Sequence, residues 1–219
     1  MPKKRNKVKR NLKPVLHIYC EGEKTEPNYI SGYINQKFPT NRRLQVIKVE
    51  PTKKNTPKQL VDEAIKKDKD CPADDIFWVV YDRESEQKYK QPIHKEAYNK
   101  AQKHGINIAL SNVCFEVWLL LHFQSSVAHY HSDDDLRKNS SLRQEFKKRG
   151  LKDYEKGNPN IFHIISSNID NARQRAKKLN QNTINSADVS WTKPYQLNPY
   201  TDMYKLLDAI DEFGEQYIS

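Results

Sequence analysis

The run Ile76-Phe77-Trp78-Val79-Val80-Tyr81 constrains the fold more than any other stretch, because six successive residues are apolar or aromatic without polar alternation. A half-buried strand alternates. A strand covered on both faces does not, and such strands belong to parallel sheets with helices on each side. Three further β-favouring segments fit the same sheet: residues 15–20, a stretch marked by Leu44, Val46, Ile47 and Val49, and residues 106–110. Helical patterns separate them. Tyr29, Ile30, Tyr33, Ile34 and Phe38 recur at helical spacing and stop before Pro39; Thr56-Pro57 opens a helix through Leu60, Val61, Ala64 and Ile65; a third covers about residues 92–104. The expected architecture is an α/β fold: a mostly parallel, right-handed, four-stranded sheet over residues 15–110, flanked by helices.

The ends of these strands carry the chemistry. After residues 15–20 comes Glu21-Gly22-Glu23-Lys24-Thr25-Glu26-Pro27, where Gly22 permits a sharp bend, Thr25 can cap a helix and Pro27 suits its first turn. Ligands bind beyond the carboxyl ends of parallel strands, so this acidic turn is a candidate metal site, set against the plain alternative of a solvated turn. Glu21 directly follows the strand and is singled out. Glu23 and Glu26 read as turn and helix-start residues, Glu26 suiting the positive end of the helix dipole. Tyr81-Asp82-Arg83-Glu84 closes the buried strand, and alternation puts Asp82 and Glu84 on one side with Arg83 opposite. Two carboxylates so spaced can share a hard cation such as Mg²⁺, which needs few protein oxygens.

From Val113 to Phe123 only Glu116 and His122 interrupt an apolar run, which predicts a buried helix. A buried carboxylate must be protonated, paired or metal-bound, so Glu116 is either functional or the partner of an Arg or Lys. His122 lies six residues later, on another face, and reads first as a satisfied core histidine and second as a general acid at the helix end. His129 and His131, followed by Asp133, Asp134 and Asp135, match no strong zinc pattern. Lys24 either contacts phosphate or balances the neighbouring acids.

Beyond residue 114 no strand is expected. Ile161, Ile164, Ile165, Ile169, Ala172, Ala176 and Leu179 form one apolar stripe, with Arg173, Arg175, Lys177 and Lys178 crowding the end of that helix, where cations also suit the dipole. A polar loop over about 181–197 leads to a last helix through Met203, Leu206, Leu207, Ile210 and Phe213. The organisation read from this is a basic, disordered arm at 1–14, an α/β core at 15–125 and a helical extension at 126–219 packed on it.

The formal charge of +10 points to an acidic partner, nucleic acid before an anionic membrane surface. The basic arm adds phosphate contacts or is only a solubilising tail. Cys20, Cys71 and Cys114 have no paired spacing and read as buried reduced thiols of a cytoplasmic protein, and no apolar run is long enough for a signal peptide or membrane span.

Glu-Gly-Glu-Lys-Thr-Glu-Pro after a strand, the acidic pair after Trp-Val-Val, the segment from Ser111 to Phe123 and a late Asn-Pro-x-Thr together resemble the RloB-like proteins, which include AbiLii-type abortive-infection proteins. The resemblance implies a Toprim-like fold and a Mg²⁺- or Mn²⁺-dependent nuclease acting on RNA, tRNA among the candidates, or on DNA, as an effector in phage defence. It implies Glu21 as general base or metal ligand, Asp82 and Glu84 as metal ligands, and Glu116 as ligand or orienting group, with His122 in the family's Leu-His-Phe motif. Tyr154 and Lys156 resemble a late tyrosine and lysine of the family. Lys24, Lys156, Arg173 and Lys177 are the expected nucleic-acid contacts. The implied partner is an ATPase of the RloA or OLD-like, AAA or ABC type, and self-association stays open. One departure stands out: the family usually has Asp-Arg-Asp where this chain has Asp82-Arg83-Glu84. A noncatalytic nucleic-acid-binding or adaptor subunit is the alternative. Topoisomerase and primase activities need further domains for which 219 residues leave no room.

Overall fold

The computed structural model describes residues 13–218, so nearly all of the basic arm lies outside the described residues. The first half of the chain holds β1 (Leu16–Cys20), α1 (Thr25–Lys37), α2 (Asn41–Leu44), β2 (Ile47–Glu50), α3 (Pro57–Asp68), β3 (Ile76–Asp82), α4 (Gln91–Lys103) and β4 (Asn107–Asn112). The second half adds α5 (Glu116–Leu121), α6 (Asp133–Asn139), α7 (Leu142–Lys148), α8 (Ile161–Ile165), α9 (Ile169–Ser186), β5 (Tyr200–Thr201) and α10 (Met203–Tyr217). The sheet order is β2-β1-β3-β4-β5. Strands β1 to β4 are parallel and β5 is antiparallel to β4. This is the mostly parallel, helix-flanked sheet of a Toprim-like α/β fold.

Strand β3 sits at the centre, and Phe77 to Asp82 are all buried, as its unbroken apolar run requires. Alternate residues feed two cores. Trp78 and Val80 join the larger one with α1, α5, α9 and α10, whereas Phe77, Val79 and Tyr81 join the smaller one under α3 and α4. Helix α3 begins as its sequence predicts: Pro57 is in the first turn, and the Thr56 hydroxyl accepts from the Gln59 amide at 3.4 Å.

Four features depart from the sequence expectations. A fifth strand exists. Tyr200–Thr201 is too short to show periodicity, and side chains hold it in place: Thr201 N donates to Asn180 Oδ1 at 3.1 Å, Asn180 Nδ2 returns a bond to Thr201 O at 2.9 Å, and the Ser111 and Thr201 hydroxyls meet at 2.9 Å. Leu44 ends helix α2 rather than opening the second strand. The buried helix is shorter than the apolar run from 113 to 123, spanning only Glu116–Leu121. The apolar stripe over 161–179 is broken by a 3₁₀ turn at Ser166–Asn168, where short polar side chains compete with the helical backbone, and α9 then continues to Ser186. Arg173, Arg175, Lys177 and Lys178 therefore lie in mid-helix, and the dipole account of their position is withdrawn. Among the described residues, no helix is long and apolar enough to cross a membrane.

Candidate metal centre

A cavity of about 440 Å³ opens at the carboxyl edge of the sheet, and Glu21, Glu26, Asp82, Glu84 and Glu116 all line it. Its floor is the β1–β3 pair. Glu21 N donates to Val80 O at 2.9 Å, extending the pairing one residue beyond β1, and Glu21 Oε2 accepts from the Asp82 amide at 3.1 Å. The strand ends at Asp82, and Glu84 follows with φ of +58° while its amide donates to Val113 O at 2.8 Å. A side chain in that left-handed conformation costs about 1–3 kcal/mol and persists where surrounding structure imposes it. Asp82 and Glu84 thus face one cavity. Arg83 points away, its Nε donating to Tyr195 O at 3.0 Å and its Nη1 to Tyr89 O at 2.8 Å.

The opposite wall is the start of α5 and the segment before α8. Glu116 is 1% exposed; its Oε1 accepts from the Tyr154 hydroxyl at 2.8 Å and lies 3.6 Å from Lys156 Nζ, while its buried Oε2 has no hydrogen-bond partner. Lys156 also pairs with Asp133 at 3.0 Å. Two glycines let these parts meet. A Cβ on Gly22 would lie 2.2 Å from Glu26 Oε2, and one on Gly157, which has φ of +82°, would lie 2.7 Å from Lys24 Cβ. Thr25 does not cap α1 with its side chain; its hydroxyl accepts instead from Gly157 N at 2.8 Å, which fixes the Lys156 loop on the acidic turn.

So many carboxylates in one buried place resist ionisation. Burial, with Glu26, Glu116, Glu21 and Glu84 around it, holds the Asp82 carboxyl well above its ordinary range. Glu21 is pushed up to about 7 by burial, partly offset by the Asp82 amide and Lys88, and Glu26 is pushed up to about 7 by burial and by Glu116. Burial works against the Lys156 ammonium, yet Glu116, Asp82 and Asp133 raise it further. A divalent cation relieves the same repulsion by replacing protons. The oxygen-only donors Glu21, Glu26, Asp82 and Glu116, with an unpartnered buried oxygen on Glu116, fit a hard cation. Glu84 is held 2.6 Å from Lys88 Nζ. Among the described residues, Cys114, Glu116 and Asp133 bring one ligand atom each within 4.8 Å of one another, whereas no three of Glu21, Glu26, Asp82, Glu84 and Glu116 do.

Of the expected site residues, Glu21, Asp82, Glu84, Glu116, Lys24 and Lys156 share the cavity. His122 does not, and its expected catalytic role is corrected. It is 2% exposed, with Nδ1 3.0 Å from Trp118 O and Nε2 3.0 Å from the Tyr29 hydroxyl, and burial brings it down to about 4. In the neutral ring that burial favours, Nδ1 donates to the Trp118 carbonyl and Nε2 accepts from the Tyr29 hydroxyl. Arg173 and Lys177 are likewise elsewhere: Arg173 pairs with Asp208 at 3.0 Å and Asp211 at 2.8 Å, and Lys177 pairs with Asp208 at 3.1 Å. His129 and His131 meet edge to face, while Asp135 accepts from the His131 amide. Nothing in the sequence marks Lys88, and Glu26 reads there as a helix-start residue and Asp133 as part of a weak zinc pattern. Glu26 gave one signal, Gly22 four residues earlier, but nothing in the chain says which face of the turn the glycine opens.

A parallel α/β sheet with acidic strand ends gathered around one cavity defines the class. The model of the RloB-like protein family matches residues 16–210, and the chain belongs to that family. No curated protein and no solved structure gives a significant match. Membership is consistent with a defence-associated role.

Proposed function

We propose that this protein is a Mg²⁺- or Mn²⁺-dependent nuclease that hydrolyses phosphodiesters of RNA, with tRNA as one candidate, or of DNA, as an effector of anti-phage defence working with an ATPase partner. The observation that carries this reading is the convergence of Glu21, Glu26, Asp82 and Glu116 from three parts of the chain on one cavity, where two of them are pushed up to about 7. A bound divalent ion supplies Lewis-acid polarisation of the phosphate and a nucleophilic water. Asp82, Glu116 and Glu26 would hold the ion. Glu21, poised near neutrality at the rim of β1, accepts the proton of the attacking water. Lys24 and Lys156 on the cavity wall bind the phosphate, and Tyr154 keeps Glu116 oriented.

The test is incubation of the purified protein, alone and with its ATPase, with total tRNA and with plasmid DNA in Mg²⁺ or Mn²⁺. Cleavage is expected from the wild type and lost in Glu21→Ala and Asp82→Ala. Cleavage that survives both substitutions sinks the assigned site.

A noncatalytic adaptor is the second reading, favoured by one observation: Glu84, which stands where the family usually has aspartate, is engaged by Lys88. Mn²⁺ calorimetry separates the two, since an adaptor without metal competence gives no carboxylate-dependent heat.

A further inference from the structure

His17 lies on β1 among the residues facing α3, well before the acidic turn, and is 3% exposed. Its ring is stacked on Phe77 at 4.7 Å and stands between two carboxylates, Nδ1 2.6 Å from Glu50 Oε1 and Nε2 3.1 Å from Asp75 Oδ2. A neutral imidazole has one N–H and one lone pair. With carboxylate oxygens at both nitrogens, one contact needs a further proton, on the ring or on a carboxyl, or a metal ion in its place. Cys71 points to the metal. Its Sγ stands beside Asp75, and His17, Cys71 and Asp75 each bring one ligand atom within 4.8 Å of the others.

Nitrogen, sulfur and oxygen donors together differ from the all-oxygen cavity at the strand ends and suit a borderline ion. We propose that His17, Cys71 and Asp75 bind Zn²⁺, with Glu50 orienting the imidazole through its other nitrogen. Carboxylates commonly sit behind zinc-bound histidines in this way. Zinc bonds of about 2.0 Å to nitrogen and about 2.3 Å to sulfur set ligand atoms about 3.5 Å apart, and His17 Nε2 and Asp75 Oδ2 at 3.1 Å are already near that separation. Asp75 is already anchored, because its Oδ1 accepts from Val15 N at 2.9 Å. The half-buried Cys71 leaves a fourth position to solvent. The ion ties β1 to the connection between α3 and β3, a structural clamp independent of the nuclease reading.

Co²⁺ is the probe. Added to EDTA-treated, desalted full-length protein, it gives a thiolate-to-metal charge-transfer band in the near ultraviolet, which Zn²⁺ then bleaches. Cys71→Ser abolishes the band, Cys114→Ser and Asp82→Ala keep it, and Glu50→Gln weakens binding about 10- to 100-fold. No band in the wild type, or a band that survives Cys71→Ser, overturns the proposal. If Cys71→Ser does not fold, Asp75→Asn keeps an acceptor for the Val15 amide and must weaken Co²⁺ at least about tenfold. Unchanged affinity in that variant overturns the site equally.

Discussion

The Asp82 amide donates to Glu21 Oε2 across 3.1 Å, so the last residue of the central strand holds the first residue beyond its neighbour. This bond fixes Glu21 against the cavity floor. Glu21→Gln keeps an acceptor for the amide and removes the base. The expected result is a fall in cleavage of about 10²- to 10⁴-fold, the usual worth of a general base, with little change in melting temperature. Nuclease assays beside thermal melts check both halves.

Metal-free protein should lose stability as pH rises from about 4.5 to about 7. Glu21 and Glu26 have folded-state values of about 7 against ordinary values of 4.5, so across that window the folded state binds more protons than the unfolded one. Stability then falls with increasing pH, on the order of 3 kcal/mol for Glu26, and is fully present only below the unfolded value. Melting curves in EDTA should show the decline, Glu26→Gln should flatten it, and Mn²⁺ should restore stability near pH 7.5. A curve that rises with pH contradicts the charge assignment.

The Tyr154 hydroxyl is the hydrogen-bond donor to Glu116 Oε1, and Glu116 Oε2 already lacks one. Tyr154→Phe therefore strips the buried carboxylate of that bond and is expected to cost about 1–3 kcal/mol of metal-free stability. Part of that loss should return with Mn²⁺ if Glu116 holds the ion as proposed. Denaturant melts with and without Mn²⁺ measure the difference.

The sheet and half of the cavity were legible because periodicity and strand-end chemistry are local. Ile76–Asp82 reads as a buried central strand, and Glu21, Asp82 and Glu84 follow from where strands stop. What was not legible depends on distant chain segments meeting. Glu26 looks like an ordinary helix-start acid until Gly22 lets it fold back to the cavity. Asp133 looks like a surface residue of an acidic triplet until Lys156 reaches it from the segment before α8. His122 sits in a family motif, yet its ring nitrogens are both occupied in the core. Tyr200–Thr201 becomes a strand only because Asn180 and Ser111 bracket it.

Arg173 and Lys156 are both ion-paired within the fold, but only Lys156 lines the proposed site. The Arg173 guanidinium pairs with Asp208 and Asp211 and also donates to the Tyr33 hydroxyl at 2.6 Å, so its charge is spent within the fold. Arg173→Met leaves Asp211 with Lys37 as its remaining ion-pair partner and should destabilise the protein by about 2–3 kcal/mol. The salt dependence of nucleic-acid binding should not change. Lys24→Ala and Lys156→Ala act the other way: each removes a proposed phosphate contact at the cavity and should lower the slope of log K against log salt by about 1. Binding isotherms at several salt concentrations, read beside melting curves, decide the matter. A lowered slope in Arg173→Met would return that residue to the nucleic-acid surface.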